Sequence, residues 1–436
     1  MTQSHDSYRE RRDSTQRPSD VPLSEPRYPA DSDTLFRQRG QLPTLLAQGL
    51  TQSHLPSLDG IRAMAVLLVV FYHMQVPGID GGAGVLVFFV LSGFLITWLL
   101  LKEEERFGEI SLRLFYLRRT LRIFPAFYVF WFLLVGSLVF FSKRLMIAQT
   151  ICSFLYLNNY YQAIFGDPNT GLSHTWSLGV EEQFYLLWPV TFLMLKDNLR
   201  RVRFLLIAIA AVWIYREMLV FVWHAPQGYI YEAFDTRADH LMIGCFLAVA
   251  LRERIWIRVW RFLVSSPSMI WVTFGCLVCS SVTGYRFGSL YRDSASFIVD
   301  PILTAVFMVQ AIAFRSGALG SVANWRAVRY LGVISYSIYL YHQITIHTVQ
   351  KLTRSWPVIS PVASILAVIA VASASYWLVE RPVQRMKTRF LPGKPQTNER
   401  AVQERDSPVL LSDAPVVAAA LSTSALVVRS PEEAKG

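Results

Sequence analysis

Ten apolar runs, at about 60–77, 83–101, 123–141, 179–195, 204–223, 239–251, 267–284, 295–314, 331–350 and 360–379, alternate with short polar loops. Lipid offers no partner to a backbone N–H or C=O, so each run must close its own hydrogen bonds as a helix. The expected fold is therefore all-α, a polytopic membrane helix bundle of about ten spans. Composition agrees. Of 436 residues, 53% are hydrophobic and only 17% charged, too apolar for a soluble chain of this size.

An even number of spans puts both termini on one side. The loops that share that side hold 21 Lys and Arg against 7 in the opposite loops, which predicts cytoplasmic tails and a multi-pass protein of the cell (inner) membrane. A net charge of +11 would invite nucleic acid in a soluble protein. Here the basic residues sit in loops, where they set topology, so no nucleic-acid partner is expected. Residues 1–56 are polar and rich in Pro, Ser, Arg and Asp, without the apolar region and cleavage site of a signal peptide, and 387–436 are similar. Both read as disordered cytoplasmic tails around a membrane domain at 57–386.

Leu145 to Tyr161 is apolar enough for an eleventh span, but counting it would move the basic loops at 196–203 and 252–261 outside. A re-entrant or interfacial segment is expected instead, with Asn158 and Asn159 satisfied by protein. Cys152, Cys245, Cys276 and Cys279 all lie in apolar surroundings, and no histidine or third thiol accompanies the Cys276/Cys279 pair. Neither a disulfide framework nor a metal is expected.

In the first run, beyond the N-cap candidate Asp59, only Arg62 and His73 can hold charge. Eleven residues return a helix to nearly the same face, so the two share one face about 16 Å apart. His73 then lies in the outer half of the membrane. The fourth run, entered at Trp176 and running inward, sets Glu181 and Glu182 about 6–9 Å below the outer surface, at a depth to match His73. An imidazole is a competent base for a hydroxyl at neutral pH, and a nearby carboxylate would orient its tautomer. The alternative is that the two glutamates are charges favoured at a helix N-terminus.

In the ninth run Ser335, Tyr339 and His342 share a face, a polar stripe that must meet protein or a cavity. The segment from Arg118 to Pro125 serves either topology or phosphate binding at the cytoplasmic mouth. The corner Asp235-Thr236-Arg237-Ala238-Asp239-His240 is either a salt-bridged structural element or a substrate contact.

Seven motifs in order, SLDGIRAMAVLLVVFYH, GVLVFFVLSGFLIT, RRTLRIFP, HTWSLGVEEQFYLLWP, DTRADHLMIGC, GVISYSIYLYHQ and the closing Glu380-Arg381-Pro382, resemble the integral-membrane acyltransferase family 3 over about 58–386. That family O-acetylates surface polysaccharides and related glycans. The resemblance implies that Arg62 and His73 are the first-helix pair, Arg119 and Arg122 the inner-loop Arg-x-x-Arg, and Glu182 the carboxylate of the Val-Glu-Glu-Gln-Phe stretch. It also implies acetyl-CoA from the cytoplasm as donor. Ala63-Met64 and Tyr341 depart from the usual pattern and touch none of these groups.

The expected site thus has His73, Glu182 and Glu181 in catalysis and Arg62, Arg119 and Arg122 on the donor. His342, Tyr339, Arg237, Asp239 and His174 are substrate or supporting groups. The expected acceptor is a glycan or glycolipid, lipopolysaccharide included; protein partners are left open. The same chemistry on a small secreted molecule such as a macrolide or lipo-oligosaccharide is the alternative. A glycan-lipid transporter would show internal repeats with matching broken helices, and none is visible. Only a short polar tail follows Glu380, so no fused extracytoplasmic hydrolase-like domain is expected.

Overall fold

The computed structural model describes residues 41–52, 55–142, 145–315 and 317–386, so the C-terminal tail and most of the N-terminal one lie outside the described residues. Within the expected N-terminal tail, Thr44–Leu50 forms a helix with Leu46, Gly49 and Leu50 buried. That stretch belongs to the packed body, because its small Gly49 lies against Ile312.

The long elements are α1 (Pro56–His73), α2 (Gly81–Phe107), α3 (Leu112–Phe140), α4 (Ile147–Phe154), α5 (Asn158–Phe165), α6 (Trp176–Met194), α7 (Asn198–Phe221), α8 (Phe234–Arg252), α9 (Met269–Phe287), α10 (Phe297–Ala313), α11 (Ser335–Leu352) and α12 (Ser360–Ser375). No strand forms among the described residues. A helix occupies each apolar run, and among the described residues five segments are long and apolar enough to cross a membrane: Gly81–Phe107, Leu112–Phe140, Asn198–Phe221, Ser289–Ala313 and Ser360–Met386.

Local chemistry sets the starts. α1 begins at Pro56, whose fixed φ and missing N–H suit the first helical position, so Asp59 falls inside the first turn and is not the cap. Asp80 caps α2 by accepting the Gly82 N–H at 2.8 Å. The segment of doubtful topology breaks at Tyr156, which holds φ +58° between α4 and α5. Eight residues rise only about 12 Å, too short to cross. Asn158 donates to Leu172 O and Thr175 Oγ1, both at 2.9 Å, and Asn159 Oδ1 accepts from Gln183 at 2.9 Å. Asn159 is satisfied by protein at both ends of its amide, whereas Asn158 Oδ1 is buried without a partner among the described residues.

α2 is the core helix, pressed between α1 and α8. A Cβ on Gly93 would stand 1.9 Å from Leu241 O, and one on Gly244 would stand 2.0 Å from Val90 O. On the opposite side, Gly84 lies against Ala65 O of α1 at 2.4 Å by the same measure. Small residues let the backbones touch, which is how helices bind where lipid supplies no hydrophobic drive. The side chains that α2 turns toward α6 and α11 are fixed by this clamp.

Candidate active site

Three helices carry polar groups along one axis. α1 runs from Arg62 to His73, α11 runs from Ser335 through Tyr339 to His342, and α6 runs the other way, from His174 just before its start to Glu182. The site therefore has an arginine end and a histidine end.

At the histidine end, the His73 and His342 rings meet edge to face at 4.6 Å, and His174 lies 5.3 Å from His342. His73 Nδ1 is 2.9 Å from Val69 O, and His342 Nδ1 is 2.7 Å from Tyr339 O. A carbonyl oxygen can only accept, so both Nδ1 atoms carry the proton and both Nε2 atoms present a lone pair. His174 Nδ1 meets Gln343 Oε1 at 3.0 Å. The Nε2 atoms of His174 and His342 are buried without a hydrogen-bond partner among the described residues.

At the arginine end, Arg119 lies flat on the Tyr185 ring at 3.5 Å, with its Nε 3.8 Å from Glu182 Oε1. Arg118, one residue earlier, points elsewhere and is tied to Glu103 at 2.5 Å. Helical position alone does not separate the three, since both Arg118 and Arg119 lie within one turn of Arg122; Arg118 is set apart by its partner Glu103. Arg62 is 3.8 Å from Asp59. A cleft runs from the arginine end as far as Tyr339, which packs against His174 and His342. Arg62, Arg119, Arg122 and Glu181 line one part, and Ser177, Tyr339, Phe88 and Phe89 line another.

The structure places Glu181 and Glu182 at the arginine end and not beside His73. The sequence reading had set them at one depth. The cause is the packing between helices. It brings His174, in the 3-10 turn Ser173–Thr175 just before Trp176, to the level of the His73 and His342 rings, and Glu182 lies about 12 Å along the axis from His174. The partner of His73 is an imidazole, and Glu182 is the counter-ion of Arg119.

The corner at the head of α8 also differs. Asp239 is paired not with Arg237 but with Arg216, whose Nη1 is 3.1 Å away, and it accepts the Trp213 N–H at 2.9 Å. Arg237 is buried among aromatic rings, 3.9 Å from Phe297 and 5.1 Å from Tyr231, with no hydrogen bond at its guanidinium among the described residues. Neither residue lines the cleft. Sequence reasoning passed over Arg216, a lone arginine in an apolar run, and that isolation was the available signal. It also passed over Ser177 and Gln343, which no pattern marks. Among the described residues no group of His, Cys, Asp or Glu is disposed to hold a metal.

A family model described as an acyltransferase domain matches residues 55–380. The chain is 32% identical over 371 residues to the peptidoglycan O-acetyltransferase OatA of Listeria monocytogenes, covering 77% of this chain and 56% of that protein. It is 33% identical over 366 residues to the putative peptidoglycan O-acetyltransferase YrhL of Bacillus subtilis, again 77% of this chain and 56% of the relative. The O-acetyltransferase OatA of Staphylococcus aureus is 29% identical over 376 residues, covering 80% and 61%. The chain thus spans less than two thirds of the length of these relatives. No solved structure matches it.

Proposed function

The chain belongs to acyltransferase family 3, and from that premise we propose that it is a membrane O-acetyltransferase, moving an acetyl group from cytoplasmic acetyl-CoA to a sugar hydroxyl of a surface polysaccharide or related glycan. The observation that carries this reading is a cleft lined by Arg62, Arg119 and Arg122 that runs to Tyr339, the ring packed against the histidines. A thin donor with phosphates at one end and a thioester at the other fits such a shape. Arg119, Arg122 and Arg62 hold its phosphates, with guanidinium forks suited to them. His73 Nε2 takes the proton of the acceptor hydroxyl as that oxygen bonds to the acyl carbon; the C–S bond breaks, and the proton is returned to the thiolate. Glu182 keeps Arg119 in place. His174 and His342 surround the base, Tyr339 closes the cleft, and Arg237 and Asp239 brace the α8 corner.

The topology completes the proposal. Ten spans with both termini cytoplasmic, and a membrane domain at 57–386 onto which Thr44–Leu50 packs, put the arginine end at the cytoplasmic face of the inner membrane, where the donor is made. The acceptor then enters from the opposite side. Mild alkali should release less ester-bound acetate from the cell's glycans when the gene is deleted, and a plasmid copy should restore it. Identical acetate content in deleted and parental cells would remove the proposed activity.

A further inference from the structure

The cleft stops short of the histidines. Ser177 and Tyr339 line it, whereas His73, His174 and His342 do not. Tyr339 stands between, its ring 5.6 Å from His342 and 5.6 Å from His174 on one side and 6.3 Å from Phe88 on the other. The partition between cleft and histidines is one ring thick.

That ring is held in place. Tyr339 Oη donates to His174 O at 3.0 Å, and Ser177 Oγ lies 2.5 Å from the same Oη. Ser177 Oγ is also 3.3 Å from the same carbonyl, so the two hydroxyls share one acceptor and hold the phenol from that side. What Tyr339 offers the cleft is a wall.

We propose that the Ser177–Tyr339 pair determines the length of the acyl group, closing the cleft beside the histidines so that a two-carbon acyl group fits and longer chains do not. The inference rests on the reading of the cleft as the donor site. An acyl carbon must come within about 3–3.5 Å of the attacking oxygen, so the thioester carbonyl has to come to the end of the cleft nearest the histidines and lie alongside the Tyr339 ring, which packs against His174 and His342. Every carbon beyond the carbonyl then meets the Tyr339 ring or Phe88. Acetyl adds one methyl group there; butyryl adds a chain that the two rings exclude.

The test uses the full-length protein in lipid nanodiscs, with labelled acetyl-CoA displaced by unlabelled acetyl-, propionyl-, butyryl- and hexanoyl-CoA. Wild type should bind butyryl-CoA at least about tenfold more weakly than acetyl-CoA, and Tyr339→Ala should reduce that difference to about threefold or less. Tyr339→Phe and Ser177→Ala keep the ring and lose the latch, so both should accept propionyl-CoA relatively better than wild type does. These two carry the test should Tyr339→Ala fail to fold. A wild type indifferent to chain length, or variants that keep its full preference, would overturn the assignment while leaving the donor site intact. Absence of displaceable acetyl-CoA on wild type would overturn the donor site and the length assignment together.

Discussion

Alanine in place of His73 is expected to lower acyl transfer at least about a hundredfold while the protein still folds and inserts. The residue closes α1, is only partly buried, and makes its one hydrogen bond to the carbonyl one turn back, so little of the fold depends on it. What is lost is the Nε2 lone pair. His342 abuts His73 at 4.6 Å but is itself enclosed, so it does not take over the proton transfer. The measurement is acetyl transfer per inserted protein molecule, with elution as a single species on gel filtration as the folding control. Activity near that of wild type would take the base away from His73.

Neutralising Arg119 or Arg122 is expected to weaken acetyl-CoA binding about tenfold or more each, the scale of a charge-assisted hydrogen bond removed. The loss should shrink as salt is raised, because phosphate attraction is screened. Arg119→Lys should already be harmful. A lysine reproduces the charge but neither the stacking on Tyr185 nor the fork. Arg62→Gln should act in the same direction, whereas Arg118→Gln should leave donor affinity alone, since Arg118 is spent on Glu103. Equal donor affinity in the Arg62, Arg119 and Arg122 variants, by equilibrium binding on purified protein, would reduce all three to topology signals.

The parts legible in the sequence were those that one helix decides by itself. Arg62 and His73 share a face because eleven residues close three turns, and the stripe of Ser335, Tyr339 and His342 follows from the same period. Both stripes line the cleft or the histidine group it leads to. Relations between helices were harder to read. Glu182 was displaced by about two turns although the helix begins at Trp176 as read, because its depth beside α1 is set by packing between helices, which brings His174 of the preceding 3-10 turn to the level of the His73 and His342 rings. At the α8 corner the sequence offered a salt bridge without its partner, since residues two apart, such as Arg237 and Asp239, point to different sides of a helix. The partner Arg216 comes from α7, on which Asp239 leaves no trace in sequence. The short helix Thr44–Leu50 was hidden inside a polar tail, where seven residues carry too little periodicity to stand out.

The through-membrane route joins every part of this reading: donor phosphates at the arginines, base at the histidines, and a cleft that runs from the former to the Tyr339 ring beside the latter. Sealed vesicles containing the purified protein in one orientation, given labelled acetyl-CoA on the cytoplasmic side only, test it. A membrane-impermeant glycan acceptor from the same cells is placed on either side in turn. The expected result is label on the acceptor at the histidine side, abolished by His73→Ala. Label confined to an acceptor on the cytoplasmic side would contradict the route and the placement of His73 at its exit.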